Sequence, residues 1–278
     1  MINLAHLSNN PIDEFNLIYN SKTGVNHVIL TMLRDDIVER YTIYNKAFDD
    51  NELERLNSVL LNPNSIEAML HCYNSSTKAL EDLLIRIKEN QLLHLRSTCH
   101  FCGINTDSST DHYLPKNQFP EFCVNLLNLI PCCPDCNSIK GEYWKDENTL
   151  TRGIVNLYTD DLPPIQFLFV EISYLGNVPR ALFTVDNRNN IDHDLFNIIS
   201  KHYTRLHLTE RYKDQFNSIY SQIHNLFLNK PMFAGRPDLI QDFLNQDDIN
   251  HSNLFGINHY KGVIIRSLAS NAFFINLF

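Results

Sequence analysis

Cys99 and Cys102, and again Cys133 and Cys136, are each separated by two residues. A turn of that spacing delivers two sulfurs from one tight loop, and two such turns can meet the roughly 2.3 Å tetrahedral sulfur coordination of a structural zinc. Between the pairs lie Asp111-His112 and Asn128, and directly after the last cysteine comes Asn137, with Lys140 one helical turn on. Hydrolysis of a phosphodiester needs an activated water, a cation on the scissile phosphate and relief for the leaving oxygen. His112 suits the first task, since an imidazole with an ordinary pKa of about 6.5 is largely neutral and basic at cellular pH. Asp111 suits the second as a hard ligand for Mg²⁺ or Mn²⁺. Neighbours on an extended segment point to opposite sides, so one can face the metal and the other the water.

The start of a short helix positions Asn137, whose amide oxygen could complete that site opposite Asp111. Lys140, one turn further on the same face, is expected at a phosphate oxygen, and Lys116 at the nucleic-acid backbone. Asn128 is read as a brace for the loop carrying His112, held by backbone hydrogen bonds. Each residue has a plainer alternative: a surface Asp-His pair, an Asn137 that caps its helix, a solvated Lys140.

The 30 residues between the cysteine pairs exceed the gap of a simple zinc ribbon, so a further element must fold between them. The chain has seven cysteines. In a reducing compartment the paired ones read as metal ligands and not as disulfides. Cys132 adjoins Cys133 and could compete for the metal, but only Cys133 has the two-residue spacing to Cys136. Cys72, Cys123 and Cys132 are expected as buried thiols behaving as small hydrophobes.

The elements that position these residues are mostly helical. Phe15–Tyr19 and Val28–Val38 read as helical pieces, broken by Asn10-Pro11 and Thr23-Gly24. From Asp50, Leu53, Leu56, Val59 and Leu60 recur at helical spacing. Asn62-Pro63-Asn64 stops that run, Ser65 is expected to cap a helix to about Tyr73, and Ser75 or Ser76 to open a longer one with Leu80, Leu83, Leu84 and Ile87 as its stripe. After the cysteine-rich segment, Gln166–Ile172 and Arg180–Val185 around Gly176-Asn177 read as a β-hairpin. Helices return from Asp194, continue over about Thr209–Asn229, break at Pro231–Pro237 and end in a final pair. The apolar C-terminus, Phe273 to Phe278, is expected to tuck into the fold. The fold class is therefore α+β, mostly helical. It divides into a helical region over 1–96, a cysteine-rich core over 97–150, and a hairpin with helices over 151–278.

At 44% apolar and 20% charged residues the 278-residue chain is an ordinary globular composition. No apolar run approaches the roughly 18–20 residues of a membrane span. With no charged and apolar leader, a cytoplasmic location is expected. A formal charge of −9 sits poorly with tight unaided binding to nucleic acid, where Lys and Arg displace counterions. It points to a local basic groove or a partner that holds the substrate. Lys201, Arg205, Arg211 and Lys213 could form a backbone-binding face, or an ordinary solvated helix.

Cys99-x2-Cys102, Asp111-His112-Tyr113-Leu114-Pro115-Lys116, Asn128-Leu129-x-Pro131 and Cys133-x2-Cys136-Asn137-x2-Lys140-Gly141 together resemble the HNH endonuclease family, in its four-cysteine zinc branch. The resemblance implies a ββα-metal core in which a hairpin carries the Asp-His pair and a helix the last ligand. It implies His112 as general base, Asp111 and Asn137 as catalytic-metal ligands, and Asn128 as the middle Asn. The motif's third letter is Asn in place of His, a substitution found in active members. DNA cleavage leaving 3′-hydroxyl and 5′-phosphate ends is the implied activity. RNA such as tRNA, cut within a toxin or defence complex, is the alternative, and a zinc-bearing binding module without chemistry is a third reading. More loosely, Tyr158–Pro163 and His202-Tyr-x2-Leu206-x-Leu208-x2-Arg211-Tyr212 are similar to stand-alone bacterial HNH proteins. Some of these serve anti-phage systems beside an ATPase, as in the Septu type and in retrons with Septu-like effectors.

Overall fold

The computed structural model describes residues 1–59 and 61–278. Two compact units divide the chain: residues 3–161 form one, and residues 162–278 with Met1–Ile2 form the other. The architecture is α+β and mostly helical, with two antiparallel strand pairs among the described residues.

The first unit opens with α1 (Pro11–Asn20), whose Asn10 side chain accepts from the Ile12 N–H, and with α2 (Gly24–Asp49). Thr23-Gly24 does break the chain there, but α2 is far longer than the Val28–Val38 piece expected. It ends where Asp50 closes the last turn and Asn51 adopts a left-handed φ of 55°. The helix expected from Asp50 does not form. Leu53 and Leu56 are buried instead from a single 3₁₀ turn over Leu53–Arg55, because a spacing of three satisfies that turn as well as an α-helix. Leu60 lies outside the described residues.

Two cap expectations are also corrected. Asn62 caps α3 (Pro63–Asn74) by accepting from the Ser65 N–H at 3.0 Å, with Pro63 at the first helical position, where its missing donor costs nothing. Thr77 caps α4 (Lys78–Glu89), accepting from the Leu80 N–H. The α4 stripe buries Leu80, Leu83 and Ile87. Glu14 of α1 receives both guanidinium nitrogens of Arg86 of α4, at 2.8 and 2.6 Å. The Lys22 ammonium crosses to the His71 and Ser75 carbonyls, supplying positive charge and donors at the C-terminus of α3.

These helices enclose β1 (Ser109–His112) and β2 (Leu129–Cys132), paired antiparallel with Asp111 opposite Ile130 and His112 opposite Leu129. The short α5 (Pro134–Lys140) follows at once. The long β1–β2 connection is anchored by Phe122, wholly buried with its ring 4.7 Å from Tyr44 and 6.0 Å from Tyr41 of α2.

In the second unit β3 (Leu168–Leu175) and β4 (Val178–Val185) form the expected hairpin, with Leu175 opposite Val178. Gly176 takes the positive φ of 59° that this two-residue turn demands. Asp192 caps α6 (His193–Arg205), and α7 (Leu208–Leu228) and α8 (Pro237–Phe255) follow. The chain ends with α9 (Tyr260–Ala269) and α10 (Ala272–Ile275). Hairpin entry is fixed by Asn258, whose amide oxygen accepts from the Phe167 and Leu168 N–H groups. The C-terminal aromatics are split: Phe274 is buried among Phe227, Tyr220 and Phe278, whereas Phe273 is 46% exposed. No described helix is long and apolar enough to cross a membrane.

Truncating the ring that joins α2 to the β1–β2 connection should destabilise the first unit heavily. Phe122→Ala is expected to cost about 3–5 kcal/mol in urea denaturation. A loss below roughly 1 kcal/mol would mean that the connection is not packed against α2.

Candidate active site and metal centre

The sulfurs of Cys99, Cys102, Cys133 and Cys136 all lie within 4.8 Å of one another and all four residues are buried. Cys102 Sγ is 3.9 Å from Cys133 Sγ. That is far beyond a disulfide of about 2.05 Å, and close to the roughly 3.8 Å edge of a tetrahedron of sulfurs about 2.3 Å from a zinc. All seven cysteines are free thiols.

Local structure builds each knuckle. In the first, the Gly103 N–H donates to the Cys99 carbonyl at 2.7 Å with Gly103 at φ 69°, and the Ile104 N–H points at Cys102 Sγ. In the second, Cys133 is the N-cap of α5, its sulfur accepting from the Cys136 N–H, where the exposed amides of a helix start favour negative charge. Asn105 donates to the Asp135 carboxylate at 2.7 Å and ties one knuckle to the other. Hydrogen bonds among the sulfurs pull Cys133 below the ordinary thiol range and push Cys99 and Cys136 above it. Four acidic groups here compete for one shared counter-charge, which a divalent cation would supply to all of them. The cluster is therefore able to hold a zinc ion. Cys132 is not among its members: it lies buried on β2, and burial pushes its thiol up.

Beside this cluster the last residues of β1 are buried. His112 donates Nε2–H to the Cys123 carbonyl at 2.9 Å, since a carbonyl can only accept. That bond fixes the neutral tautomer and leaves the lone pair on Nδ1. Its ring meets the Tyr73 ring edge-on at 4.4 Å, a neighbour from α3 with no signature in the motif. The Lys116 ammonium lies 4.8 Å from the centroid of the same Tyr73 ring and donates to Asn74 Oδ1.

Asn128 is wholly buried and its amide is used to capacity. Oδ1 accepts from the Leu114 N–H at 2.7 Å and the Tyr44 hydroxyl at 3.3 Å, while Nδ2 donates to the Leu114 and Phe122 carbonyls. No lone pair is left for a cation. It clamps both ends of the loop that carries His112. Tyr44, from α2, is a second residue that sequence reasoning missed.

Lys140 departs from the expected contact with phosphate. It is 0% exposed, its ammonium 3.0 and 3.1 Å from the two carboxylate oxygens of Asp111 and 2.8 Å from the His112 carbonyl. Helix α5 packs on β1, so the side chain one turn after Asn137 runs inward under the strand. Asn137 itself, on the more open side, donates Nδ2 to Ser109 Oγ and the Thr110 carbonyl, which commits its nitrogen and not its oxygen to β1. In the second unit, Arg205 and Lys213 are exposed, and Arg211 donates to the Leu206 carbonyl.

No family model matches the chain, and no solved structure matches it. Among curated proteins it is similar to protein ea31 of Escherichia phage lambda, 26% identical over 49% of this chain and 46% of that protein. It is also similar to Septu protein PtuB of Bacillus thuringiensis, 22% identical over 31% of this chain and 39% of that protein. The chain thus spans less than half the length of these curated relatives.

Metal analysis of purified protein should find about one zinc per chain. Cys133→Ser or Cys136→Ser should lose most of it and Cys132→Ser should retain it; equal loss in the last would move the ligand set. Acidification should release the metal, because protons compete for the thiolates.

Two buried groups also set opposing pH dependences. Burial pushes His112 down from 6.5 to about 3, so acid favours the unfolded chain, where the imidazole protonates, as pH falls through that window. Burial pushes Asp111 up from 3.8 to about 6 against the pull of Lys140, so the folded chain binds its proton first and acid favours the fold between those values. Between pH 6 and about 4, Asp111→Asn should therefore lose stability more steeply than wild type and His112→Asn less steeply, each by at most about 1.4 kcal/mol per pH unit. Urea midpoints across that range give the slopes, and three identical slopes would place both groups in water.

Proposed function

We propose that the chain is a metal-dependent endonuclease of the HNH type that hydrolyses phosphodiester bonds in DNA. The observation that carries this reading is the His112 Nε2 bond to the Cys123 carbonyl, which holds the ring as a neutral tautomer with its lone pair on Nδ1, at the strand end that also holds Asp111. A buried histidine kept for packing has no need of a carboxylate beside it and an asparagine clamp behind it. The antiparallel β1–β2 pair followed directly by α5 supports this reading, being the element order expected of a ββα-metal core.

In the proposed reaction His112 Nδ1 takes a proton from water as the water oxygen attacks phosphorus. The bond from phosphorus to the 3′-oxygen breaks and that oxygen takes a proton from solvent water, giving 3′-hydroxyl and 5′-phosphate ends. Asp111 Oδ2 is buried 3.0 Å from the Lys140 ammonium, so a cation there would share the carboxylate with Lys140. Asp111 and Asn137 Oδ1 would be the hard oxygen donors for Mg²⁺ or Mn²⁺. A divalent ion bound there supplies charge neutralisation at the scissile phosphate. Lys140 holds Asp111 ionised and aimed. Asn128 keeps the His112 loop in register, and Lys116 lies close enough to His112, across Tyr73, to meet the phosphate backbone.

RNA is the second reading, because the same phosphate chemistry serves both nucleic acids. The similarity to Septu protein PtuB supports an anti-phage role. The net charge of −9 supports a protein partner, such as an ATPase, that brings the substrate.

Wild-type protein should nick DNA in Mg²⁺ or Mn²⁺, and His112→Ala should lower the rate by about 10²–10⁴-fold while zinc content is unchanged. Equal cleavage by the two proteins would remove His112 from the chemistry. Binding without cleavage under every metal and partner condition would leave the zinc-bearing binding module.

A further inference from the structure

We propose that the outward face of α2 is a docking surface for an amphipathic helix of a partner protein, one whose apolar stripe carries lysine or arginine at its centre. Val25, Val28, Met32, Asp36, Glu39 and Ile43 follow one another at three or four residues and so share one face of the helix. The face runs roughly 27 Å at about 1.5 Å per residue, several turns of a facing helix. Its apolar members are open to solvent: Val25 is 75% exposed, Val28 53%, Met32 78% and Ile43 41%. Core-facing residues of the same helix, Leu30, Ile37, Tyr41, Tyr44 and Phe48, point the other way and are buried. Packing within the unit therefore does not require the outer stripe.

Charge decides what fits it. Asp36 and Glu39 interrupt the stripe at its middle, both exposed and neither paired with a basic group among the described residues. A facing helix of leucines alone would strip water from two carboxylates and return nothing. One with two cations at the centre would pair them and gain from both ends. A second copy of this chain fits badly. Paired in parallel it sets Asp36 against Asp36, and paired antiparallel it lays the carboxylates on Met32 and Ile29.

A second feature beside the stripe points to the same ligand chemistry. A cavity of about 280 Å³ opens along α2 between Leu33, Ile37 and Met69, with Glu121 in its lining. Glu121 is 1% exposed; its Oε1 takes both Arg40 bonds, at 3.2 and 2.8 Å, and its Oε2 accepts none among the described residues. A donor on an apolar stem entering beside α2 would satisfy that oxygen.

The probe is a labelled synthetic helix with leucines at heptad a and d positions and two lysines at the centre, titrated into the full chain by fluorescence anisotropy. A control helix carries glutamates in place of the lysines. The lysine peptide should bind at least roughly tenfold tighter than the control. Asp36→Lys with Glu39→Lys should invert that preference, and Met32→Asp should weaken the lysine peptide. Unchanged circular dichroism melting should accompany each variant, because every substituted side chain is exposed. Equal binding of the two peptides, or none, would overturn the proposal. So would self-association in sedimentation that Met32→Asp abolishes, which would assign the face to a second copy.

Discussion

Four sulfurs within 4.8 Å of one another are the constraint on which the centre of the first unit turns. They come from two turns separated by β1, the long connection and β2, so bringing them together fixes the start of the hairpin, its end and the entry to α5 at once. Cys133 serves the cluster and caps α5 with the same atom. The orientation of that helix, and with it the placement of Asn137 and Lys140, is thus tied to the sulfur cluster. Thiolates buried this closely would repel one another without a cation among them, so a zinc bound there would couple the local fold to the metal.

The second constraint is a buried charge. Asp111 and Lys140 are both out of water, 3.0 Å apart, and burial without such a partner would push the Asp111 proton affinity up further. Their pairing places a cation beneath β1 and keeps the carboxylate anionic despite the burial that pushes its proton affinity up. His112 is arranged by the opposite logic. Burial keeps it neutral, and the carbonyl of Cys123 decides which nitrogen carries the proton. Two adjacent residues of one strand thus sit in oppositely tuned environments.

Helices α2 and α3 supply what the core segment cannot supply for itself. Tyr44 bonds the Asn128 amide and Tyr73 walls the His112 ring. Support of this kind holds a side chain in one rotamer. The same α2 turns an unpartnered, acid-centred stripe outward, so one helix would link the site's rigidity to an outer docking face. A chain with a net charge of −9 gains from such a face if another protein brings the nucleic acid.

Read from residues alone, the cysteine spacing marks the four sulfurs that the fold brings together, because two sulfurs per tight turn is a local property. The Asp111-His112 adjacency and the Gly176-Asn177 turn are local in the same sense and are equally plain in the sequence. Helix existence is legible from period; helix limits are less so, since Asn62 and Thr77, and not the serines beside them, turn out to face the free amides. The run after Asp50 misleads because a spacing of three serves a 3₁₀ turn as well as a helix. Tertiary structure alone decides that Lys140 goes inward to Asp111, that Asn128 has no lone pair to spare, and that Tyr44 and Tyr73 complete the surroundings of His112. Each of these rests on a contact between segments far apart in the chain, and neither residue type nor period records which distant partner a side chain will meet.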